Sequence, residues 1–211
     1  MKKLELKHIA KRLPYGLKGI IIQDKSESYM DNDWYNEDDC KSGKIWNLIG
    51  IVKPNKLNIP IGEGYLQGFL WSRGNTYVNF HTGILPILRP LSDLTKEIEH
   101  GGEKFVPIVS LFNHIDDSDY VDVHGLNFNT MNLQIDDEWN HIYSIMTDEG
   151  EELEFCVQSH GMTLFYKWTD YQISNVRDLF DLLLEWHFDV DNLIEKGLAI
   201  NLNALEVNPY K

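Results

Sequence analysis

Apolar residues recur along this chain with two periods, and each change of period marks an element. Leu6, Ile9, Ala10 and Leu13 fall at helical spacing with lysines opposite. Leu4 to Leu13 therefore reads as a short amphipathic helix, stopped by Pro14 and Gly16. LKGIIIQ, Leu17 to Gln23, is rich in β-branched residues and reads as a strand, as does Ile45 to Val52. The polar, acidic stretch 26–43 between them reads as a loop. Tyr65 to Trp71 and Thr76 to His81 are expected strands, joined by the turn composition Ser72-Arg73-Gly74-Asn75.

The middle changes character. Pro86 and Pro90 bracket Ile87-Leu88-Arg89, which reads as an irregular connector. Ser92 is placed to N-cap a helix to about Glu99, with Asp93 in its first turn and Gly101-Gly102 beyond its end. Pro107 is placed to open a second short helix ending at Asn113. From Asn127 the β pattern returns in four segments, 128–135, 139–146, 152–159 and 162–168, separated by Asp148-Glu149-Gly150 and Ser159-His160-Gly161. These predict an antiparallel meander with a His160-Gly161 hairpin tip. Ser174 then caps the strongest helix, SNVRDLFDLLLEWHF, running through Phe188. Its Leu179, Leu182, Leu183, Leu184, Trp186 and Phe188 make it apolar around most of its circumference. Another turn begins at Asp189 or Asp191 and closes at Gly197, and the chain ends in a strand or coil. Strands in runs with helices between and after them predict an α+β fold. It is expected to be a single domain over 1–211, with a sub-division near 84–115 as the alternative.

Charge alters this picture more than composition does. The chain has 211 residues and a net charge of −14, with 43% hydrophobic residues, so it is globular rather than disordered. Residues 1–25 hold seven bases and two acids, a net of +5, which leaves −19 on the remainder. Six acids and no base lie between Glu27 and Asp39, and twelve acids and no base between Phe105 and Tyr166. Such one-sided charge repels nucleic acid, except through the basic N-terminal segment, and attracts basic partners or divalent cations. A solvated surface with no partner gives the same composition. No apolar stretch approaches the roughly 18 residues of a membrane span, and the charged N-terminus lacks a secretory core. With Cys40 and Cys156 lying 116 positions apart, outside any Cys-x-x-Cys motif, the expectation is a cytoplasmic protein with free thiols.

The common enzyme fingerprints are absent: there is no phosphate loop, dinucleotide glycine motif, Gly-x-Ser-x-Gly or His-Glu-x-x-His. No cofactor is implied. The candidate metal set is His114, Asp116, Asp122 and His124, whose two-residue spacings place each His with an Asp on one side of a strand. An exposed polar loop explains the same residues. Asp178, Asp181 and Glu185 form an acidic stripe opposite the apolar face of the last helix, either solvated or docking a basic partner. His187 falls on the apolar line Val176, Phe180, Leu183, and reads as a core-edge histidine. Trp34 and Tyr35 sit among acids, as a recognition tip or as a cover for the sheet.

The blocks LPYGLK (Leu13 to Lys18), ILRPLSDLTKEIE (Ile87 to Glu99), GEKFVPI (Gly102 to Ile108) and LLEWHFDVDNLIEKGLAI (Leu183 to Ile200) resemble a group of small uncharacterised phage and prophage proteins of gut-type anaerobic bacteria. The resemblance implies a mobile-element origin and a setting in the host cytoplasm, and transfers no site residue. The expected function is an accessory protein, not an enzyme, that contacts a basic protein partner, as an acidic decoy in one version. The alternatives are a metal-dependent hydrolase or nuclease built on the His/Asp set, and a virion or assembly component that uses the apolar helix as an oligomer seam.

Overall fold

A computed structural model describes residues 4, 6–22, 43, 45–52, 65–70, 74–79, 84–115, 126–136, 140–158, 161–166, 169–171 and 173–211. The chain divides into two compact units, Met1–Arg89 with Leu193–Pro209, and Pro90–Asn192 with Tyr210–Lys211.

The first unit is built on one sheet. Helix α1 (Leu6–Ala10) is shorter than the spacing predicts, because Pro14 falls inside a 3-10 turn (Leu13–Tyr15) that Gly16 ends at φ 71°. Strands β1 (Lys18–Ile21), β2 (Ile45–Val52), β3 (Tyr65–Leu70), β4 (Gly74–Asn79) and β5 (Ile84–Leu88) follow. The order across the sheet is Ile200–Asn201, β5, β1, β2, β3, β4. Among the described residues, the Ile200–Asn201 strand alone pairs in parallel, with Ile87 and Leu88 of β5.

The sequence predicts an irregular connector around Pro86, and the structure has β5 there instead. Burial decides this: Ile84, Ile87 and Leu88 are all within the core, and their packing outweighs the one donor that proline lacks. Pro86 lies opposite Gly19 in β1. A Cβ on Gly19 would meet Ile84 Cγ1 at 2.9 Å and the Leu85 carbonyl oxygen at 3.0 Å, so this close pairing requires glycine. The core beneath the sheet gathers Leu4, Ile9, Leu17, Trp46, Leu48, Ile84, Leu88, Leu193 and Ala199.

The second unit begins with a 3-10 turn (Leu91–Thr95), not the helix to Glu99 that the Ser92 cap predicts. The turn gives way to a hairpin, β6 (Ile98–His100) and β7 (Glu103–Phe105). Gly101 and Gly102 therefore do not cap a helix. They form the two-residue hairpin turn, both at positive φ, 59° and 84°. A long-range anchor overrides the local helix signal: the Tyr143 hydroxyl donates to the Leu91 carbonyl at 2.7 Å, while buried Asp93 pairs locally with Lys96.

Helix α2 (Pro107–Asn113) has the predicted limits. The four-strand meander is present, as β8 (Leu126–Ile135), β9 (His141–Thr147), β10 (Glu152–Gln158) and β11 (Gly161–Tyr166), and a fifth strand that the pattern does not predict, β12 (Thr169–Tyr171), extends it, in sequential order with antiparallel pairing. Gln158 pairs with Gly161, so the hairpin connection is 159–160 rather than His160-Gly161, and those two residues lie outside the described set. Leu153, Phe155 and Val157 point to the core, where Phe112 of α2 meets Phe155 at 5.2 Å between ring centroids. Glu152 and Glu154 alternate onto the other face.

Helix α3 spans Val176–Glu185. It is amphipathic rather than apolar around most of its circumference: Leu179, Leu183 and Leu184 are buried, while Arg177, Asp178 and Glu185 are exposed. Its N-cap is Asn175, one residue past the predicted Ser174. It ends before Trp186, not at Phe188, because the chain turns in a Schellman motif. The Phe188 amide donates to the Leu183 carbonyl and the His187 amide to that of Leu184, with His187 at φ 62°.

Candidate functional site

The acidic stripe of α3 is the predicted surface that the structure assembles. Asp178 and Glu185 are exposed and Asp181 is half-buried, one turn apart on the side away from Leu179 and Leu183. Asp178 also lies in the first helical turn, where the helix dipole favours a carboxylate by about 0.3–1 kcal/mol. A second acidic feature is the β9–β10 turn. Asp148, Glu149 and Glu152 are all exposed there, and Gly150 at φ 80° donates its amide to the Thr147 carbonyl.

The distribution of charge follows the two units. The first holds 14 Lys and Arg against 11 Asp and Glu, a net of +3. The second holds 5 against 22, a net of −17. Lys96, Lys104 and Lys211 of the second unit reach Asp93, Glu97 and Glu99 at 2.6, 3.7 and 3.0 Å. These pairs engage acids of the hairpin and the turn before it, not those of α3 or the β9–β10 turn.

Of the candidate metal set, His114 is described, at the C-terminal cap of α2. It is exposed, with Nδ1 2.6 Å from the Ser110 carbonyl oxygen. Asp116, Asp122 and His124 lie outside the described residues, as do Trp34, Tyr35 and Cys40. Among the described residues, no three His, Cys, Asp or Glu side chains gather as metal ligands would. Cys156 carries a free thiol. Partial burial pushes its pKa up, Asp136 and Glu154 add to the rise, and hydrogen bonds with Gln158 and Thr163 oppose it. That is the opposite of an activated nucleophile. Among the described residues, no helix is long and apolar enough to cross a membrane.

Several buried polar groups are not legible from charge alone. Arg12 follows α1 and precedes the 3-10 turn Leu13–Tyr15. It is fully buried, with Nη1 donating to the His8 carbonyl at 2.9 Å. Tyr143 is fully buried, and its phenol is held far above the ordinary range, first by burial and then by the charges of Asp93 and Cys156. His187 is buried although α3 ends before it, so the helical line that suggested a core-edge place does not account for it. Its ring stacks on Tyr210 at 3.7 Å and meets His100 at 5.6 Å. The Gly101 amide donates to the Tyr210 carbonyl, and Lys211 pairs with Glu99, so the last two residues are tied to the β6–β7 hairpin.

A cavity of about 380 Å³ opens beside β8, lined by Thr95, Val106, Val109, Phe128, Asn129 and Met131. Its described lining carries no ionisable side chain, and its polar groups are the Thr95 hydroxyl and the Asn129 amide. Compared with known protein families, curated proteins and solved structures, the chain matches none of them.

Proposed function

We propose that this chain is a phage- or prophage-borne accessory protein that binds a partner protein with a basic surface through its second unit. The observation that carries this reading is the net charge of −17 on that unit, with exposed acids on α3 and on the β9–β10 turn. Charge of this size and sign steers a cationic partner and speeds encounter by about 10- to 1,000-fold, an advantage that salt removes. The mobile-element setting rests on the resemblance of the LPYGLK and LLEWHFDVDNLIEKGLAI blocks. An acidic decoy that occupies a basic nucleic-acid groove is one form of this activity.

The test is capture from bacterial lysate on the immobilised full chain at low and high salt, beside a variant carrying D148K, E149K and E152K. A basic protein retained at low salt, released at high salt and lost on the variant is the expected result. Equal recovery on both chains, or no basic protein at either salt, overturns the reading.

A further inference from the structure

The second unit carries an open strand edge whose chemistry fits one kind of occupant. β8 is the outermost strand of its sheet, and among the described residues no strand pairs with its far side. Natural edges are commonly guarded by lysine, proline, inward-facing charge or a bulge, and of these β8 has the step between Asn127 and Asn132. From Leu126 to Ile135, LNFNTMNLQI contains no charged residue and no proline. Ile135 is 49% exposed, an apolar side chain left in water at the end of the strand. Alternate residues of an edge strand turn their N–H and C=O groups outward, ready to pair.

Both ends of this uncharged edge are acidic. Leu126 pairs with Thr147, which brings the start of β8 beside exposed Asp148 and Glu149. Ile135 pairs with His141, and exposed Asp136 follows it, its carboxylate held by the Asn140 amide and side chain at 2.9 and 2.8 Å. Midway, the ladder steps out between Asn127 and Asn132. Thr130 Oγ1 donates to the Asn127 carbonyl at 2.7 Å and accepts the Met146 amide at 3.0 Å. This step places Phe128, Asn129 and Met131 along the wall of the 380 Å³ cavity, facing Val106 and Val109.

We propose that the β8 edge takes an extended segment of the basic partner as an added strand, its bases at the two acidic ends and one apolar side chain in the cavity. This rests on the basic-partner reading and adds where and how that partner is held. Backbone pairing would supply affinity and the cavity would supply selectivity. The β9 side of the ladder runs seven residues, roughly 23 Å at 3.3–3.4 Å per residue, so the bases should stand about seven residues apart. A second copy of the chain is a poorer occupant, because it would bring the same acidic ends against these.

The test uses the full chain to select displayed peptides with a randomised seven-residue centre between Lys-Arg ends. Enriched peptides are then measured by fluorescence anisotropy and by amide hydrogen exchange of the chain. The expected peptides carry an apolar central residue and slow exchange at Asn132–Ile135. They lose about tenfold in affinity when proline replaces alternate residues, the equivalent of one or two hydrogen bonds. M131R, which puts a charge in the cavity wall, should weaken them similarly. The exchange measurement on the unaltered chain stands whether or not that variant folds.

Retention of the chain on a polylysine matrix is measured alongside. Retention with peptides that tolerate proline and leave β8 exchange unchanged overturns the edge site and leaves the basic-partner reading. No enrichment with retention does the same, and no enrichment without retention overturns both. β8 exchange that slows with chain concentration alone shows self-pairing and also overturns the proposal.

Discussion

His187 offers a test in which two opposing terms can be weighed. It occupies the position after the α3 cap, at φ 62°, where glycine is the usual residue. A side chain there costs about 1–2 kcal/mol relative to glycine, at the lower end for histidine, which visits this region more readily than most. Against that, the ring is 1% exposed and stacks on Tyr210 at 3.7 Å with a 27° tilt. Truncating a buried aromatic ring usually costs about 3–5 kcal/mol, and a polar imidazole should fall near the bottom of that range.

The backbone gain offsets only part of this, so H187G should lose about 1–3 kcal/mol. At about 2–4 °C per kcal/mol for a chain this long, its melting temperature should fall by about 2–12 °C. H187N keeps a residue tolerant of positive φ but removes the ring, and should melt close to H187G or below it. Melting followed by far-UV circular dichroism gives the comparison. An unchanged or raised melting temperature for H187G would show that the turn geometry dominates and that the Tyr210 contact contributes little.

Tyr143 predicts a pH effect. Its phenol is raised in the folded chain, so the unfolded chain releases that proton first, near the ordinary value of about 10. Stability from this group is therefore complete below about pH 10 and falls as pH rises toward the folded value. Y143F should be less stable at neutral pH by about 1 kcal/mol, through loss of the bond to Leu91, yet lose less stability than wild type between neutral and strongly alkaline pH in urea titrations. Parallel alkaline curves would contradict the assignment. G19A should destabilise by about 1–3 kcal/mol in chemical denaturation, because the new methyl group meets backbone oxygen as well as Ile84; a neutral result would show that β1 and β5 separate easily. Raising salt should raise the melting temperature by screening the −17 charge of the second unit, and a flat or falling response would show that its acids are already neutralised.

The regular elements were readable where one period held for long enough. β2 and α2 have the limits their patterns predict, and the meander appears with ends within about two residues. The misreadings arise where distant groups overrule local signals. Pro86 marks a break in sequence, but the buried side chains around it keep β5 in the sheet. Ser92 and Asp93 form a good helix start, but Asp93 is buried and Tyr143, 52 residues away, holds the Leu91 carbonyl. Nothing adjacent to Leu184 foretells the stop at Glu185, since histidine rarely serves as the left-handed residue after a cap. The acidic stripe was legible because it is a property of one helix. The β8 edge was not, because being outermost is a property of the sheet order.

The acids and the bare edge are best understood together. An uncharged ten-residue edge on a neutral domain would invite pairing with any exposed strand, including its own copy. Guarding it with lysine would stop that but would also repel a basic partner. Acids at both ends of β8 and across the outer face at Glu152 and Glu154 leave the backbone open while making every copy of the unit repel its neighbours. Acidic strands are repelled, neutral ones meet no charge barrier, and positively charged ones are drawn in. On this view the missing bases between Phe105 and Tyr166 belong to the selection, because a lysine on β8 would place like charge along the path of a basic strand.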